Sequence, residues 1–119
     1  MSQPVERFGV ISGMIETAEN LAKDYNISRE EADAYAVRSH QRATAAWEKG
    51  LFADELVPVS VPQKKGEAIV FDRDEGFRPD ATLESLGRLR PLEGGVVTAG
   101  NASQQNDAAA ACLVIAEDK

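Results

Sequence analysis

Cysteine is almost absent from this sequence, since Cys112 is the only one among 119 residues. A single thiol cannot form an internal disulfide, so we expect a reducing, cytoplasmic setting. Apolar runs of membrane-spanning length are absent too, and the residues up to Ser12 contain no apolar core of signal-peptide length. Basic residues are in the minority, with 13 lysines and arginines against 20 carboxylates and a net charge of -7. The sequence therefore predicts neither nucleic acid nor a membrane as a partner.

Two helices are predicted before residue 50. The first is expected over about 15–25, because apolar residues recur there at i, i+3, i+4 and i+7: Ala18, Leu21, Ala22 and Tyr25. Ser28 and Glu31 have the spacing of a capping box, which predicts a second helix over about 29–48, ended by Gly50. This helix carries a stripe of small residues with an aromatic at either end. Such a stripe allows close packing, so we expect the two helices to lie against each other or against a companion surface.

A β-hairpin is predicted over about 56–71, where two strand-like runs are separated by Lys64-Lys65-Gly66. Pro58 and Pro62 indicate an edge strand, because proline cannot donate a hydrogen bond to a neighbouring strand. After an acidic surface loop, a short helix is expected over about 82–89 and is ended by Pro91.

The closing segment combines a turn of small residues with an apolar run. Between Ala99 and Ser103 no side chain is larger than asparagine, so a ligand or another backbone can approach closely. Asn101, Asn106 and Asp107 are expected to bind the backbone of this turn rather than a substrate. The apolar run at 108–115 predicts a strand buried on both faces, or a buried helix. Because the chain offers few strands to pair with it, we expect most of its sheet to lie outside these residues.

Cysteine, histidine and serine often act in catalysis or metal binding, but in this sequence none of them is predicted to do so. Cys112 lies in the apolar run, where burial would suppress thiol reactivity, so we expect a structural role. His40 has no neighbouring ligand at metal-site spacing, so we expect a packing or surface histidine and no metal. Ser39 and Ser103 belong to no recognisable Ser-His-Asp arrangement.

Several motifs occur in a fixed order along the chain. The longest is Thr98-Ala99-Gly100-Asn101-Ala102-Ser103 followed by Asn106-Asp107-Ala108-Ala109-Ala110. Upstream lie Met14 with Thr17-Ala18-Glu19-Asn20, Ile27-Ser28-Arg29-Glu30-Glu31, Arg38-Ser39-His40-Gln41-Arg42-Ala43, Asp54-Glu55-Leu56-Val57-Pro58-Val59, and Arg78-Pro79 with Thr82-Leu83-Glu84. Together they resemble the middle of a thiolase, an enzyme that makes or cleaves 3-ketoacyl-CoA.

The resemblance implies a partial thiolase-like α/β fold. Residues 1–95 would form the lid, which is the loop subdomain over the active site, built from a helical pair and the hairpin. Residues 96–119 would form the turn of the coenzyme A tunnel and a strand of the core sheet.

The same resemblance implies a set of coenzyme A contacts. Ser103 matches a serine that binds the pantetheine arm, and Ala99 matches a small residue that lines the tunnel. Arg78 matches an arginine near the adenine, and Ser85 a serine beside the nucleotide. Met14 matches an apolar residue at the pocket mouth. Taken without the family, the residues around Arg78 favour a surface ion pair with a neighbouring carboxylate: Asp74, Glu75 or Asp80.

No catalytic residue is assigned, because the cysteine and histidine motifs of thiolases do not occur in these residues. The resemblance implies part of an acyltransferase of fatty acid metabolism, including β-oxidation, whose parent catalyses Claisen condensation or thiolysis of acyl-CoA. It also implies coenzyme A as a substrate, no covalently bound cofactor, and a dimeric or tetrameric parent. The alternative is a non-catalytic module that binds an acyl-CoA or a protein.

Overall fold

The computed structural model describes residues 13–92 and 94–117. Three helices and a two-stranded sheet follow one another in the order α1 (Met14–Asp24), α2 (Arg29–Glu48), β1 (Val59–Val61), β2 (Ile69–Phe71) and α3 (Leu83–Gly87). The two long helices begin and end within a residue of the predicted limits. Both strands and α3 are shorter than the sequence pattern indicates.

The limits of α2 follow from its two caps. Ser28 Oγ accepts from the N–H of Glu31 at 3.1 Å, and the Glu31 carboxylate accepts from the N–H of Ser28 at 2.8 Å, so the predicted capping box is confirmed. At the other end Gly50 has φ 66°, the N–H of Gly50 donates to Trp47 O, and the N–H of Leu51 donates to Ala46 O. This pair of bonds is a Schellman motif, which glycine favours because it has no Cβ.

The predicted hairpin is also confirmed. Strands β1 and β2 are antiparallel, with Val59 opposite Phe71 and Val61 opposite Ile69. Every residue of both strands is exposed. The hairpin therefore buries none of its apolar side chains against the described part of the chain.

The core of the described residues is small and lies between α2 and α3. Val37 of α2 packs with Ala81 and Leu86, and Ala36 adds to this cluster. Ala22 and Val97 are buried as well. Three polar residues are equally buried: Glu19, Asp33 and Thr98. A core in which polar groups are so prominent requires partners for all of them.

The apolar run near the end of the chain differs from the predicted strand. Residues 103–116 have no helix or strand, and Leu113, Val114 and Ile115 are 84%, 88% and 62% exposed. A strand needs a neighbour for its backbone groups, and within the described residues the only sheet is the exposed hairpin. The thiol of Cys112 is consequently exposed, which corrects the burial that its sequence neighbours predicted.

In the portions that the structure describes, no helix has both the length and the apolar character that a membrane crossing needs.

Candidate functional site

The small-residue turn at 98–102 closes on the backbone of one residue. Thr98 O accepts from the N–H groups of Asn101 and Ala102, at 3.3 Å and 3.0 Å. The hydroxyl of Thr98 accepts from the N–H of Gly100 at 3.2 Å, and Thr98 itself is completely buried. The turn is thus fixed from its inner side by a buried threonine, and Ala99 is left exposed on its outer side.

Asn101 connects this turn to the backbone just before it and to α2. Its Oδ1 accepts from the N–H of Thr98 at 2.8 Å. Its Nδ2 donates to Val96 O and to Asp33 Oδ1, both at 2.9 Å. The prediction that Asn101 binds the backbone of the turn is confirmed. Asn106 and Asp107 make no hydrogen bond among the described residues, so that expectation is not met for them.

Asp33 joins the turn to the other helices. Its second carboxylate oxygen accepts from Arg29 Nε at 2.7 Å, and the Asp33 side chain is 5% exposed. Arg29 Nη2 in turn donates to Leu86 O at 2.6 Å and to Leu89 O at 3.3 Å, at the end of α3. A buried carboxylate is tolerated only when its charge and lone pairs are satisfied, and here both oxygens have a donor.

Glu19 of α1 binds the two residues just before the turn, and it does so through both of its carboxylate oxygens. Its two carboxylate oxygens accept from consecutive backbone N–H groups, Val96 at 3.0 Å and Val97 at 2.8 Å. The bond from Val97, followed by that from Val96, lowers the pKa of Glu19, with a smaller contribution from the charge of Lys23. Burial opposes this shift.

Two glycines make room for these contacts. A Cβ on Gly95 would lie 1.8 Å from Glu19 Oε2, and one on Gly100 would lie 2.6 Å from Leu89 Cδ1. Both distances are far below van der Waals contact, so any larger residue would displace the carboxylate or the leucine. The close approach therefore requires glycine at both positions.

Sequence patterns do not identify Glu19, Asp33 or Arg29 as site residues. A signal for the first two was present, because each acid shares a helix face with a buried apolar residue: Glu19 with Ala22 at i+3, and Asp33 with Val37 at i+4. An acidic side chain on a buried helix face needs a specific partner. We call the set Glu19, Arg29, Asp33 and Asn101 the clamp of the turn.

The five predicted coenzyme A contacts are all exposed. Ser103 Oγ donates a long hydrogen bond of 3.3 Å to Gln104 O. Arg78 donates its backbone N–H to His40 Nδ1, and its guanidinium contacts no carboxylate in the described residues, so the alternative ion pair is not observed. The Ser85 hydroxyl caps α3 through Thr82, accepting from its N–H and donating to its carbonyl. Met14 is 81% exposed at the first residue of α1.

One contact brings two of these segments together. A Cβ on Gly76 would lie 1.8 Å from Gln104 Nε2, so Gln104 touches the loop two residues before Arg78. Gln104 directly follows Ser103. The loop that bears Arg78 and the residues just after the turn, which include Ser103, are therefore neighbours, whereas Met14 lies at the start of α1 and Ser85 lies in α3.

A cavity of about 730 Å³ lies beside this contact, between residues 72–76 and 105–107. None of the five predicted residues lines it. Its charged lining residues are Asp72, Asp74, Glu75 and Asp107 against Arg73 alone. This excess of negative charge disfavours a phosphate-bearing ligand in the cavity itself. Among the described residues, no group of three or more histidines, cysteines or carboxylates is placed to hold a metal ion.

Comparison with known proteins assigns the chain to a protein family. A family model described as "Thiolase, N-terminal domain" matches residues 8–118. The fold described above is a partial α/β thiolase fold. The chain belongs to the thiolase family.

The relatives of the chain agree with this assignment. The chain is 57% identical over 105 residues to a probable acetyl-CoA acyltransferase of Staphylococcus aureus (strain COL), and 56% identical to an acetyl-CoA acetyltransferase of Thiocystis violacea. Each alignment covers 87% of this chain and 27% of the relative. The chain thus spans about a quarter of the length of the curated relatives it matches.

Solved structures show the same relation. The structure is similar to the Bacillus anthracis acetyl-CoA acetyltransferase with a TM-score of 0.71 and 47% identity, over 75% of this chain and 23% of the other. It is similar to human mitochondrial 3-ketoacyl-CoA thiolase in complex with CoA with a TM-score of 0.64 and 49% identity, over 72% and 21%.

Proposed function

We propose that this chain is the lid and coenzyme A-binding segment of an acetyl-CoA acyltransferase. The parent would transfer acyl groups between coenzyme A thioesters, by Claisen condensation or by thiolysis of 3-ketoacyl-CoA. The descriptions of the relatives support the reaction class. The observation that supports the role of this segment is the clamped turn: Ala99 is exposed on its outer side, and Gln104, directly after Ser103, contacts the loop of Arg78.

The turn suits the narrow pantetheine arm of coenzyme A. Ala99 offers a wall with only a methyl group, and Ser103 offers one hydroxyl beyond it. The present bond from Ser103 Oγ to Gln104 O is long at 3.3 Å, so it is weak and can be exchanged for a carbonyl of the arm. The clamp holds the backbone of the turn in place, which lowers the entropy cost of binding.

Arg78 suits the nucleotide end of coenzyme A. In a chain of net charge -7, a phosphate-bearing ligand needs a local cation. Arg29 and Arg88 are paired with carboxylates, while the Arg78 guanidinium has no partner among the described residues. A guanidinium can bind phosphate in a bidentate manner or stack on an adenine base. Ser85 retains one acceptor lone pair for the nucleotide, and Met14 would contribute apolar surface at the mouth of the site.

The chemical step is proposed to use residues outside this segment. A thioester nucleophile needs a neighbouring base or positive charge, and Cys112 has no such contact in the described residues. His40 is the only histidine and binds the backbone of Arg78 instead. We further propose a cytoplasmic, dimeric or tetrameric parent enzyme of fatty acid metabolism, including β-oxidation, with the lid at 1–95 and the tunnel turn and core strand at 96–119.

Calorimetric titration of the 119-residue chain with coenzyme A tests the binding role. Arg78→Ala should weaken binding of coenzyme A and of adenosine 3′,5′-bisphosphate about tenfold, because a charge-assisted hydrogen bond is lost. Ser103→Ala should weaken binding of coenzyme A and of pantetheine about 2- to 10-fold, since its bond is neutral. Arg42→Ala is the matched control, because Arg42 is exposed on α2 and lies about 200° around that helix from His40.

The two variants should therefore respond to different fragments of the ligand. Equal losses in Arg42→Ala and Arg78→Ala would show non-specific attraction and contradict the proposed site. No binding by the unmodified chain would also contradict it. The acyl-transfer role is tested by exchanging the aligned segment of the Thiocystis violacea enzyme for this chain, which should preserve acetyl transfer.

A further inference from the structure

His40 lies in the middle of α2 and is half-buried. Its Nδ1 accepts from the backbone N–H of Arg78 at 3.1 Å, a contact between residues 38 positions apart. The carbonyl of His40 accepts from the hydroxyl of Thr44 at 2.9 Å, as often occurs within a helix. The imidazole is therefore the side chain of α2 that binds the Arg78 backbone.

A second contact fixes the same loop on the same face of α2. The ring of Phe77 is stacked on Trp47 with 6.1 Å between centroids and an interplanar angle of 17°. The guanidinium of Arg73 lies over both rings, 5.8 Å from Trp47 and 5.5 Å from Phe77. Trp47 follows His40 by two helical turns, so the two side chains share a face. Residues 73–78 are thus attached to α2 at two points, one a stack of aromatic rings and the other a hydrogen bond to an imidazole.

The contact at His40 requires a neutral ring. Nδ1 can accept a hydrogen bond only while it carries a lone pair, which places the ring proton on Nε2. Protonation turns Nδ1 into a second donor facing the N–H of Arg78, and the bond is lost. The aromatic contact at Trp47 does not depend on this proton. Protonation therefore releases Arg78 without detaching the start of its loop.

We propose that His40 is a positioning residue for coenzyme A, which holds Arg78 where its guanidinium meets the nucleotide phosphates. This inference rests on the proposed function of Arg78. The affinity for coenzyme A then falls when the His40 ring takes up a proton. The charged residues of the segments packed here are Asp72, Arg73, Asp74, Glu75, Arg78 and Asp80 in the loop, Arg38 and Arg42 within four positions of His40 on α2, and Glu84 and Arg88 on α3. Among the described residues, none of these carboxylates lies within 4.0 Å of the ring nitrogens.

Asparagine distinguishes positioning from packing at this site. In His40→Asn the amide oxygen takes the place of Nδ1 as the acceptor and does not titrate. In His40→Ala no acceptor remains. The neighbouring Gln41→Ala is the matched control, since Gln41 is exposed and points about 100° away around the helix.

Calorimetry with coenzyme A on the full chain from pH 5.5 to 8 gives the first readout. The unmodified chain should lose about 3- to 10-fold in affinity toward pH 5.5, and His40→Ala should be weakened by a similar factor at every pH. His40→Asn should keep the affinity of the unmodified chain at pH 8 and show only the smaller pH dependence of the ligand's own phosphates. Gln41→Ala should follow the unmodified chain. Equal pH profiles for the unmodified chain and His40→Asn would overturn the proposal.

The amide proton of Arg78, followed by NMR without ligand, gives the second readout. Its chemical shift should change with pH in the unmodified chain and stay constant in His40→Asn. A pH-dependent chemical shift without any change in coenzyme A affinity would refute the positioning role alone. If the unmodified chain binds no coenzyme A at any pH, the proposed function is refuted, and this inference with it.

Discussion

Replacement of Asn101 by aspartate should destabilise the protein through a single atom. The new Oδ1 can still accept from the N–H of Thr98, as asparagine does at 2.8 Å. The other position changes from an amide that donates to Asp33 Oδ1 at 2.9 Å into a second carboxylate oxygen. At this distance two negative charges repel by at most about 6 kcal/mol, for an effective dielectric constant of about 20.

Alanine at the same position provides the comparison. It removes all three side-chain hydrogen bonds of Asn101 and leaves the N–H of buried Thr98 and one oxygen of Asp33 without their present partners. Lost and unsatisfied bonds of this kind should reduce the free energy of unfolding by about 2–4 kcal/mol. At pH 8 the aspartate variant should be less stable than the alanine variant, although it preserves more of the original shape.

The order should reverse toward pH 5. Two carboxylates in contact raise the folded-state pKa of the pair, and the proton that they then share replaces the lost amide N–H. Urea unfolding followed by the fluorescence of Trp47, the only tryptophan, measures both variants against the unmodified chain at each pH. Equal stability of the two variants at pH 8, or losses below about 0.5 kcal/mol, would refute the assigned clamp.

Three further predictions follow from the same contacts. Because the pKa of Glu19 is lowered in the folded state, its stabilising effect is fully present above the pKa of the unfolded state and is lost as the pH falls through the folded pKa. Glu19→Gln should therefore lower the free energy of unfolding at pH 7 and make it depend less on acid pH, as urea titrations would show. Gly95→Ala should destabilise the chain, since its Cβ would meet the Glu19 carboxylate. The control Gly87→Ala, at the end of α3, meets nothing within 4 Å and should be neutral or stabilising by up to about 1 kcal/mol. Thermal denaturation measures both variants. The exposed Cys112 should react with one equivalent of a thiol reagent without denaturant, and slow labelling would instead support burial.

The helices could be predicted because their limits depend on neighbouring residues. Ser28 and Glu31 start α2, and Gly50 ends it, all through contacts within a few positions. The motif from Thr98 to Ser103 was also sufficient to indicate the turn and the role of Asn101 within it. Local pattern and capping chemistry therefore determined most of the fold that the structure describes.

The clamp and the apolar run depend on contacts between distant residues. Glu19 binds the backbone of Val96, 77 positions away, and no periodicity reveals which N–H groups a carboxylate will meet. His40 likewise gains its role from Arg78, in a loop without regular structure. For residues 108–115, the apolar composition indicates burial, yet a strand forms only beside another strand. These features need tertiary contacts that sequence patterns do not specify.

A map of amide chemical shifts on addition of coenzyme A shows directly whether the turn is the coenzyme A site. We expect the largest changes at Ala99, Ser103 and Arg78, with little change in strands β1 and β2. Changes confined to the hairpin and the acidic cavity beside Trp47, with the turn unaffected, would contradict the assignment of the turn as the coenzyme A site.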